Sequence, residues 1–411
     1  MKIAVIVDSF PRVSETFVLS HVTGLIDRGH DVDIFAWEHG GLDVQHADVE
    51  RYKLLSRLSI LAPPAGKMAR MASAAKLLLR NGHQRPVLQS LNVRRYGRLA
   101  GSLRLLHQVA RLVNGYDILH CHFGPNGEFV SRLRQVGVTG KLVTTFHGYD
   151  IRLGEEQGGR IYATLFEQCD ALIAISPYNS RSLLQFGADP ARLVMLPLGV
   201  DVQQQRPCTP RIGVQDPVRI ITVARLSPEK NVEGAVEAVA RLRRARPGLD
   251  LRYEVIGDGP QREAVEARIR DLRADRYVTL LGAQNQSVVR EALSRSHIFL
   301  LPSLAEALPM CLMEALGAGL ATIATDVGSV DQIVMDQRTG LLLAAGDVPA
   351  MTAALADLID QPATAALYGR TGRAHVLRSF DHDRQLDTLV QLYRQLLGGH
   401  AGRVAHGSRP A

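Results

Sequence analysis

Short runs of Val, Ile and Leu recur along the chain, and segments with apolar residues at helical spacing lie between them. Short apolar strands that alternate with helices are typical of a parallel sheet covered on both faces. In the first half, the pattern predicts strands over residues 2–7, 31–36, 117–120, 141–145, 171–174 and 192–196. It predicts helices over residues 15–28, 96–113, 126–135 and 179–186.

The same alternation returns in the second half, after a polar, proline-containing stretch at residues 201–217 that lacks an apolar period and is typical of a linker. The pattern predicts strands over residues 219–223, 251–256, 278–281, 298–301 and 321–324. It predicts helices over residues 231–244, 261–273, 287–294, 309–318, 349–360, 363–379 and 383–397.

These elements predict an α/β protein with two doubly wound, Rossmann-like domains that face a central cleft, since ligands of such sheets bind at the carboxyl ends of the strands. A length of 411 residues also favours two domains over one core. The predicted parts are an N-terminal domain, the linker, a C-terminal domain, a closing helix and a flexible tail, over residues 1–200, 201–217, 218–380, 381–397 and 398–411.

Composition indicates a folded soluble protein, with 46% hydrophobic and 22% charged residues. No apolar run approaches the roughly 18 residues needed to cross a bilayer, and the first apolar run is too short for a signal peptide. The four cysteines are scattered, without the paired spacing of zinc or redox sites. We therefore expect a cytoplasmic protein, with peripheral association at the inner face of the cell membrane as a further expectation.

That membrane expectation comes from residues 51–116, a basic helical segment without a single Asp or Glu in a chain of net charge +7. Basic residues at helical spacing among apolar ones can bind an anionic membrane surface. A solvated basic helical hairpin is the alternative. Nucleic acid is not expected, because interleaved aromatic residues and recognised motifs are missing from the segment. The basic residues are Arg51, Lys53, Arg57, Lys67, Arg70, Lys76, Arg80, Arg85, Arg94, Arg95, Arg98, Arg104 and Arg111.

Candidate chemistry centres on Glu306 and Glu314, around a predicted helix that begins near Pro309. Eight helical residues rise about 12 Å, whereas two carboxylates that act on one glycosidic bond lie roughly 5–9.5 Å apart. The pair is better suited to holding hydroxyl groups at opposite ends of an elongated ligand such as a nucleotide sugar. The loop before the helix offers backbone amide groups, and the helix start offers the positive end of its dipole, to the anionic diphosphate in the middle of such a ligand. A solvated loop Glu and an ordinary helix Glu remain the alternative.

Three further turns follow predicted strands. His147 and Gly148 come after the strand at residues 141–145, where a turn histidine bonded to its neighbours is the alternative. Arg225 and Lys230 follow the first strand of the second half and could neutralise a diphosphate, or simply flank a helix start. The turn Ile256-Gly257-Asp258-Gly259-Pro260 lacks the full dinucleotide-binding glycine spacing. We expect His120 and His122 to point to alternate sides of their segment, which would make them a poor metal pair.

Several of these patterns resemble one family. Glu306 and Glu314 match the E-x7-E motif of retaining GT-B glycosyltransferases, glycosyltransferase family 4 in particular. His147-Gly148, the Arg225/Lys230 pair and the glycine turn resemble that family's His-Gly, R-x4-K and G-x-G-P motifs. The pattern F-P-x-x-S-E-T-F at residues 10–17 is similar to colanic acid and amylovoran-type exopolysaccharide enzymes. Ala307 departs from the glycine that usually follows the first Glu, and residues 328–334 depart from the family pattern.

The resemblance implies a GT-B fold, with a C-terminal helix that crosses back to the first domain, and assigns roles to residues. The catalytic group would be His147, Arg225, Lys230 and Glu306. Donor nucleotide-sugar-binding residues would be Gly257, Gly259, Gly282, Ala307, Leu308, Pro309, Met310 and Glu314. Acceptor or cleft-loop residues would be Ser14, Glu15, Thr16 and Asp150, although a helix-capping role is an alternative for Ser14.

The implied reaction is transfer of a sugar, with retention and without metal or cofactor, from a UDP-sugar or GDP-sugar to a saccharide acceptor. The acceptor is expected to be linked to polyprenyl diphosphate, in exopolysaccharide or other surface glycan biosynthesis. In this family's same-face substitution, the leaving phosphate can take the acceptor proton. A nucleotide-sugar epimerase of similar fold and a non-catalytic nucleotide-sugar-binding protein at the membrane are the alternatives.

Overall fold

A computed structural model describes residues 1–12, 15–41, 47–205 and 217–399. The chain divides into two units with separate cores. Unit 1 is formed by Met1–Leu196 and the chain from Leu386 onward, and unit 2 by Pro197–Gln385. The predicted flexible tail beyond residue 399 and the linker positions 206–216 lie outside the described residues.

Unit 1 contains a seven-stranded sheet in the order β3-β2-β1-β4-β5-β6-β7, in which every neighbouring pair of strands is parallel. Its strands are β1 Lys2–Phe10, β2 Asp31–His39, β3 Leu58–Ile60, β4 Ile118–His122, β5 Lys141–Phe146, β6 Ala171–Ala174 and β7 Leu193–Met195. The first ten helices of the chain are α1 Thr16–Asp27, α2 Ala47–Arg51, α3 Lys67–Asn81, α4 Arg85–Gln89, α5 Val93–Gly101, α6 Arg104–Leu112, α7 Gly124–Arg134, α8 Tyr149–Gln157, α9 Ala163–Gln168 and α10 Pro177–Gln185.

Unit 2 contains a six-stranded parallel sheet in the order β10-β9-β8-β11-β12-β13. Its strands are β8 Val218–Val223, β9 Leu251–Ile256, β10 Val278–Gly282, β11 Ile298–Leu301, β12 Ala321–Thr325 and β13 Leu341–Leu343. The remaining helices are α11 Val232–Ala245, α12 Arg262–Asp271, α13 Gln286–Ser294, α14 Met310–Ala318, α15 Val348–Asp360, α16 Pro362–Ser379 and α17 His382–Leu397.

The first strand shows why each sheet is buried on both faces. Successive side chains of a strand point to opposite faces. Ile3 and Val5 accordingly join one apolar cluster of unit 1, whereas Ala4 and Ile6 join the other. The first cluster also contains Leu389 and Tyr393 of α17. The end of the chain therefore contributes side chains to the core around the first strand.

The structure corrects two parts of the predicted element order. The helix predicted over residues 96–113 is divided between α5 and α6, because Leu103 between them has a positive φ of 59° that a continuous helix cannot accommodate. Gly97, with a φ of 53°, kinks α5 itself. Strands β3 and β13 were missed. Each has only three residues, all partly exposed, at an edge of its sheet, which is short for a predicted strand even though β13 is a run of three leucines.

Within the described part of the chain, no helix is both long enough and apolar enough to cross a membrane. The strand order of each sheet reverses direction at one place, between β1 and β4 in unit 1 and between β8 and β11 in unit 2. In open α/β sheets, ligands bind beyond the carboxyl ends of the strands at this switch point. The loops that follow these four strands are therefore where a site is expected.

Candidate active site

In unit 2, the switch point brings together loops that are far apart in the chain. Arg225 and Lys230 follow β8, and Glu306 follows the neighbouring strand β11. The Lys230 ammonium lies 2.6 Å from Oε1 of Glu306, and the hydroxyl of Ser303 donates to the same oxygen at 2.7 Å. The side chains of Lys230 and Glu306 are only 21% and 6% exposed, so the pair is held in place at the carboxyl edge of the sheet.

Arg225 is exposed, and its guanidinium makes no hydrogen bond or ion pair with any described residue. Its backbone is nevertheless fixed, because the flanking Ala224 and Leu226 donate backbone hydrogen bonds to Ile256 and Asp258 across the neighbouring turn. A positive side chain on a fixed backbone, with its donors available, can bind an anion without first breaking an internal ion pair. The contact of Arg225 with a diphosphate stays a prediction.

The loop that carries Glu306 is braced on two sides. The backbone N–H of Leu304 donates to the carbonyl of Glu229 at 2.7 Å, and the Asn231 amide donates to the carbonyl of Pro302 at 3.2 Å. On the other side, Gly328 has a φ of +62°, and a Cβ added there would lie 1.7 Å from the carbonyl oxygen of Glu306. Only glycine fits this position, so a residue in the stretch that departs from the family pattern still supports the Glu306 loop.

The predicted donor-binding glycines have a packing role. A Cβ on Gly257 would lie 1.8 Å from the carbonyl oxygen of Ala224, and one on Gly259 would lie 2.4 Å from that of Leu226. The N–H of Gly257 donates to the carbonyl of Gly282 at 2.9 Å. These glycines let three turns at the edge of the sheet pack closely. Their contact with a donor stays a prediction.

Glu314 lies inside α14 and is 6% exposed. The Gln286 amide donates to its Oε1 at 2.7 Å. Burial raises the pKa of Glu314 to about 7, although the Gln286 hydrogen bond and the nearby positive charge of Arg290 act in the opposite direction. The Arg290 Nε atom is itself buried and has no partner among the described residues. Gln286 and Arg290 were not predicted from the sequence, where their only signal is their four-residue spacing on α13.

Residues 307–310 connect the two acids. Pro309 has an extended conformation with ψ 111°, and α14 begins at Met310, one residue later than the sequence predicts. Leu308 and Pro309 are buried, whereas Ala307 and Met310 are partly exposed. A donor contact for these four residues stays a prediction.

In unit 1, His147 follows β5 and is 6% exposed. Its ring packs against Phe17 with ring centroids 4.4 Å apart, and its backbone N–H donates to Oδ1 of Asp150 at 2.9 Å. Asp150 is fully buried and also accepts the N–H of Gly124 at 2.9 Å. Burial raises the pKa of Asp150 to about 7, against the lowering effect of these hydrogen bonds. Asp150 therefore joins the loops after β4 and β5, and its predicted acceptor contact stays a prediction.

The expectation for His120 and His122 was wrong. Residues two apart on a strand point to the same face, and their rings lie 4.9 Å apart on one side of β4. His21 joins them, with Nδ1 2.8 Å from Nε2 of His122. Ligand atoms of these three buried histidines lie within 4.8 Å of one another, a spacing at which imidazoles can hold a metal ion. No metal was predicted from the sequence, and His21 belongs to none of the predicted site residues.

Of the predicted acceptor-loop residues, Ser14 lies outside the described residues. Glu15 precedes α1 and forms an ion pair with Arg12 at 3.0 Å. Burial raises the pKa of Glu15, and its Oε2 atom is buried without a partner in the part of the chain that the structure describes. Thr16 is the first residue of α1. The structure thus leaves a partly unsatisfied carboxyl group at the switch point of unit 1.

Comparison with known proteins agrees with two parallel-sheet units. Residues 14–204 match the family model described as Glycosyltransferase Family 4, and residues 211–375 match that described as Glycosyl transferases group 1. The chain is 31% identical to AmsK, an amylovoran biosynthesis glycosyltransferase of Erwinia amylovora, over 96% of this chain and 100% of the relative. It is also 31% identical to WcaL of Escherichia coli (strain K12), named for colanic acid biosynthesis, over 87% and 90%.

Solved structures share the fold. HepE of Anabaena, determined in complex with UDP and glucose, superposes with a TM-score of 0.73 at 15% identity, over 96% of this chain and 100% of that one. Sucrose-phosphate synthase of Thermosynechococcus elongatus superposes with a TM-score of 0.72 at 20% identity, over 97% and 99%. The fold is GT-B, and the protein is a glycosyltransferase. The chain belongs to glycosyltransferase family 4.

Proposed function

We propose that this glycosyltransferase moves a sugar, with retention and without metal, from a nucleotide-diphosphate sugar to a saccharide acceptor in exopolysaccharide or other surface glycan biosynthesis. The observation that carries the proposal is the Lys230–Glu306 pair at the switch point of unit 2, with the exposed Arg225 on the adjoining loop. Positive charges and an acid held there suit a ligand with a diphosphate next to a sugar. The names of AmsK and WcaL support the biosynthetic assignment.

Each unit 2 residue has a role in this proposal. Arg225 and Lys230 neutralise the diphosphate, whose negative charge grows as its bond to the sugar breaks. Glu306 accepts hydrogen bonds from hydroxyl groups of the donor sugar through oxygen not committed to Lys230. Glu314 accepts hydrogen bonds from the hydroxyl groups of the ribose. His147 of unit 1 acts at the donor sugar, as the family resemblance implies.

The reaction is a same-face substitution. The bond between the anomeric carbon and the diphosphate oxygen breaks, and the acceptor oxygen bonds to the same carbon from the same side. The acceptor proton passes to the departing phosphate oxygen, so no separate protein base is needed. Lys230 and Arg225 stabilise the leaving diphosphate, which is the role a divalent cation has in metal-dependent enzymes.

The proposal is tested with purified full-length protein, a panel of UDP-sugars and GDP-sugars, and a polyprenyl-diphosphate-linked saccharide. Mass spectrometry should detect an acceptor heavier by one sugar together with release of nucleoside diphosphate. Replacing Arg225 with Ala should abolish most of the activity, whereas Arg241→Ala, which removes a surface arginine paired with Glu237, should not. A new isomer of the donor without any transfer would favour an epimerase instead.

We further propose that α3 and α5 bind the anionic membrane surface where a lipid-linked acceptor would be found. The most exposed large apolar side chains described are Leu79 at 90% and Met68 at 84%, both on α3. Exposed basic residues lie on the same helix as these two side chains, and residues 51–116 contain no acidic residue to oppose the basic charge. Such a surface combines apolar insertion with attraction to anionic headgroups. The exposed basic residues on these two helices are Lys67, Lys76, Arg80, Arg94, Arg95 and Arg98.

Cosedimentation with vesicles tests this surface. Binding should be strong to phosphatidylglycerol vesicles, weak to phosphatidylcholine vesicles, and reduced by salt. The double variant Met68→Ser/Leu79→Ser should lose much of it, while Leu367→Ser, at an exposed leucine of unit 2, should behave as wild type. Equal binding by the double variant and wild type would contradict the proposal, as would equal binding to both vesicle types.

A further inference from the structure

A continuous chain of side-chain hydrogen bonds runs through the core of unit 1 and ends at His147. Starting at β5, the hydroxyl of Thr145 lies 3.0 Å from Nε2 of His120. The next contacts join His120 Nδ1 to the Tyr393 hydroxyl at 2.5 Å and that hydroxyl to His21 Nε2 at 3.3 Å. The chain then continues from His21 Nδ1 to His122 Nε2 at 2.8 Å, and from His122 Nδ1 to His147 Nε2 at 3.1 Å.

These side chains come from distant parts of the sequence and are all buried. Tyr393 lies on α17 and is fully buried beside His120. Both ring nitrogens of the three inner histidines are occupied by bonds of the chain. At the end, Nδ1 of His147 makes no hydrogen bond with any described residue. The chain therefore has one end, Nδ1 of His147, that can meet a ligand.

The protons in such a chain are ordered together. A neutral imidazole has one N–H and one lone pair, so donating at one nitrogen requires accepting at the other. His21, His120, His122 and His147 are all buried, and burial disfavours the charged form of an imidazole. Two orders are then possible, one in which every bond donates toward Thr145 and one in which every bond donates toward His147. The first leaves a lone pair on Nδ1 of His147, and the second places a proton there.

Tyr393 selects between the two orders. A phenol is a stronger donor than acceptor, and its shorter bond, at 2.5 Å, goes to Nδ1 of His120, while the longer one, at 3.3 Å, joins His21. The phenol O–H therefore donates to His120, and the Nε2–H of His21 donates to the phenol oxygen. The order that follows has His122 donating to His21 and His147 donating to His122.

We propose that Tyr393 is a positioning residue that fixes His147 as the Nε2–H tautomer, so that its Nδ1 presents a lone pair to the substrate. A lone pair accepts a hydrogen bond from a hydroxyl and rejects an ether or phosphate oxygen. The catalytic consequence rests on the proposed function, in which His147 acts at a hydroxyl-bearing sugar. The tautomer itself does not rest on it.

Nitrogen-15 NMR of the full-length protein, labelled at histidine, tests the tautomer without any substrate. Wild-type His147, identified by its loss in His147→Gln, should have a protonated Nε2 and an unprotonated Nδ1. In Tyr393→Phe, the Nε2–H of His21 loses the phenol oxygen that accepts its hydrogen bond. The ratio of the two His147 tautomers should then shift toward Nδ1–H by about fivefold, the effect of one hydrogen bond. Tyr178→Phe removes a phenol bonded to Glu155 outside the chain and should change nothing.

A second variant keeps the test decisive if Tyr393→Phe does not fold. Thr145→Val removes the hydroxyl that accepts the hydrogen bond from Nε2–H of His120, and it should also shift the tautomer ratio of His147 toward Nδ1–H. A wild-type His147 protonated on Nδ1 would overturn the proposal, as would an unchanged tautomer in the folded variants. Stoichiometric zinc in the purified protein, bound by His21, His120 and His122, would also overturn it, because a metal would replace the protons of the chain. If the NMR result holds but no nucleotide sugar is turned over, the proposed function fails alone.

Discussion

The ammonium group of Lys230 and the carboxylate of Glu306 lie 2.6 Å apart although 76 positions separate them in the chain. They meet because β8 and β11, the strands that precede them, are neighbours in the sheet of unit 2. Two opposite charges that are mostly buried stabilise each other more than an exposed pair would. The pair therefore places a cation and an acid in a fixed relation before any ligand binds.

Replacing Lys230 with Met keeps the length of the side chain and removes its charge. We expect affinity for nucleotide-diphosphate sugars to fall about 10- to 100-fold, the effect of losing a hydrogen bond to a charged group. Calorimetric titration measures this, with Arg241→Met as a surface control. If the affinity falls no more in Lys230→Met than in the control, Lys230 does not bind the diphosphate.

Glu314 should make donor binding depend on pH. Its pKa is raised to about 7 by burial, and hydroxyl groups of the ribose bind the ionised form better because it accepts hydrogen bonds at both oxygens. Affinity should therefore rise with pH through about 7 and level off above it. Titration of the best-bound nucleotide-diphosphate sugar between about pH 5.5 and 8.5 measures this. Glu314→Gln should bind more weakly and lose the pH dependence; the same pH profile in both proteins would exclude the ribose role.

Gly328 should be required for the Glu306 loop. In Gly328→Ala, the new Cβ would collide with the carbonyl oxygen of Glu306, 1.7 Å away, and displace the loop. We expect at least a tenfold loss of kcat/KM, which is about 1.4 kcal/mol of transition-state binding. Gly346→Ala is the matched control, because Gly346 also has a positive φ, +77°, but its nearest neighbour is a Leu304 methyl group 4.0 Å away. An equal loss of activity in the two variants would show that backbone strain, and not the collision, matters, and wild-type activity in Gly328→Ala would contradict the prediction.

Unit 1 should become less stable in acid. Burial lowers the pKa of His120, His122 and His147 below the roughly 6.5 of an unfolded histidine. The unfolded chain therefore binds more protons as the pH falls below about 6.5, and stability is lost there. Each histidine contributes up to about 1.4 kcal/mol per pH unit. Asp150, whose pKa burial raises to about 7, and Asp8 and Glu15, whose pKa values burial also raises, act in the opposite direction and offset part of this loss.

Denaturant unfolding between about pH 5 and 7 checks this slope. His120→Gln should reduce the slope by about one proton, whereas His83→Gln, at an exposed histidine of the same unit, should leave it unchanged. An equal slope in His120→Gln and wild-type protein would show that His120 does not remain neutral in the folded state.

The sequence predicted local structure well and long-range contacts poorly. The predicted strands at residues 171–174, 251–256 and 298–301 coincide with β6, β9 and β11. Residues 171–174 and 298–301 are short apolar runs, and residues 251–256 alternate apolar and charged side chains in their first four positions. The edge strands β3 and β13 have only three residues each, which is short for a strand even though β13 is a run of three leucines. The positive φ angle of Leu103, which divides α5 from α6, depends on packing that a single sequence does not display.

The candidate site divides in the same way. Motifs placed Lys230 and Glu306 after strands, but only the strand order brings them together. Tyr393 and His21 are 372 positions apart, and neither belongs to a motif, so their contact had no signal in the sequence. The two-residue period of a strand places His120 and His122 on the same face. The prediction that they point to alternate sides applied this period incorrectly.

The anomeric configuration of the product tests the central claim most directly. A nucleotide-diphosphate sugar with an α-linked sugar and a lipid-linked saccharide acceptor are incubated with wild-type protein and with Lys230→Met, and the new glycosidic bond is assigned by proton NMR coupling. The account predicts an α-linked product from wild-type protein and little or none from the variant. A β-linked product, or equal yields from the two proteins, would contradict it.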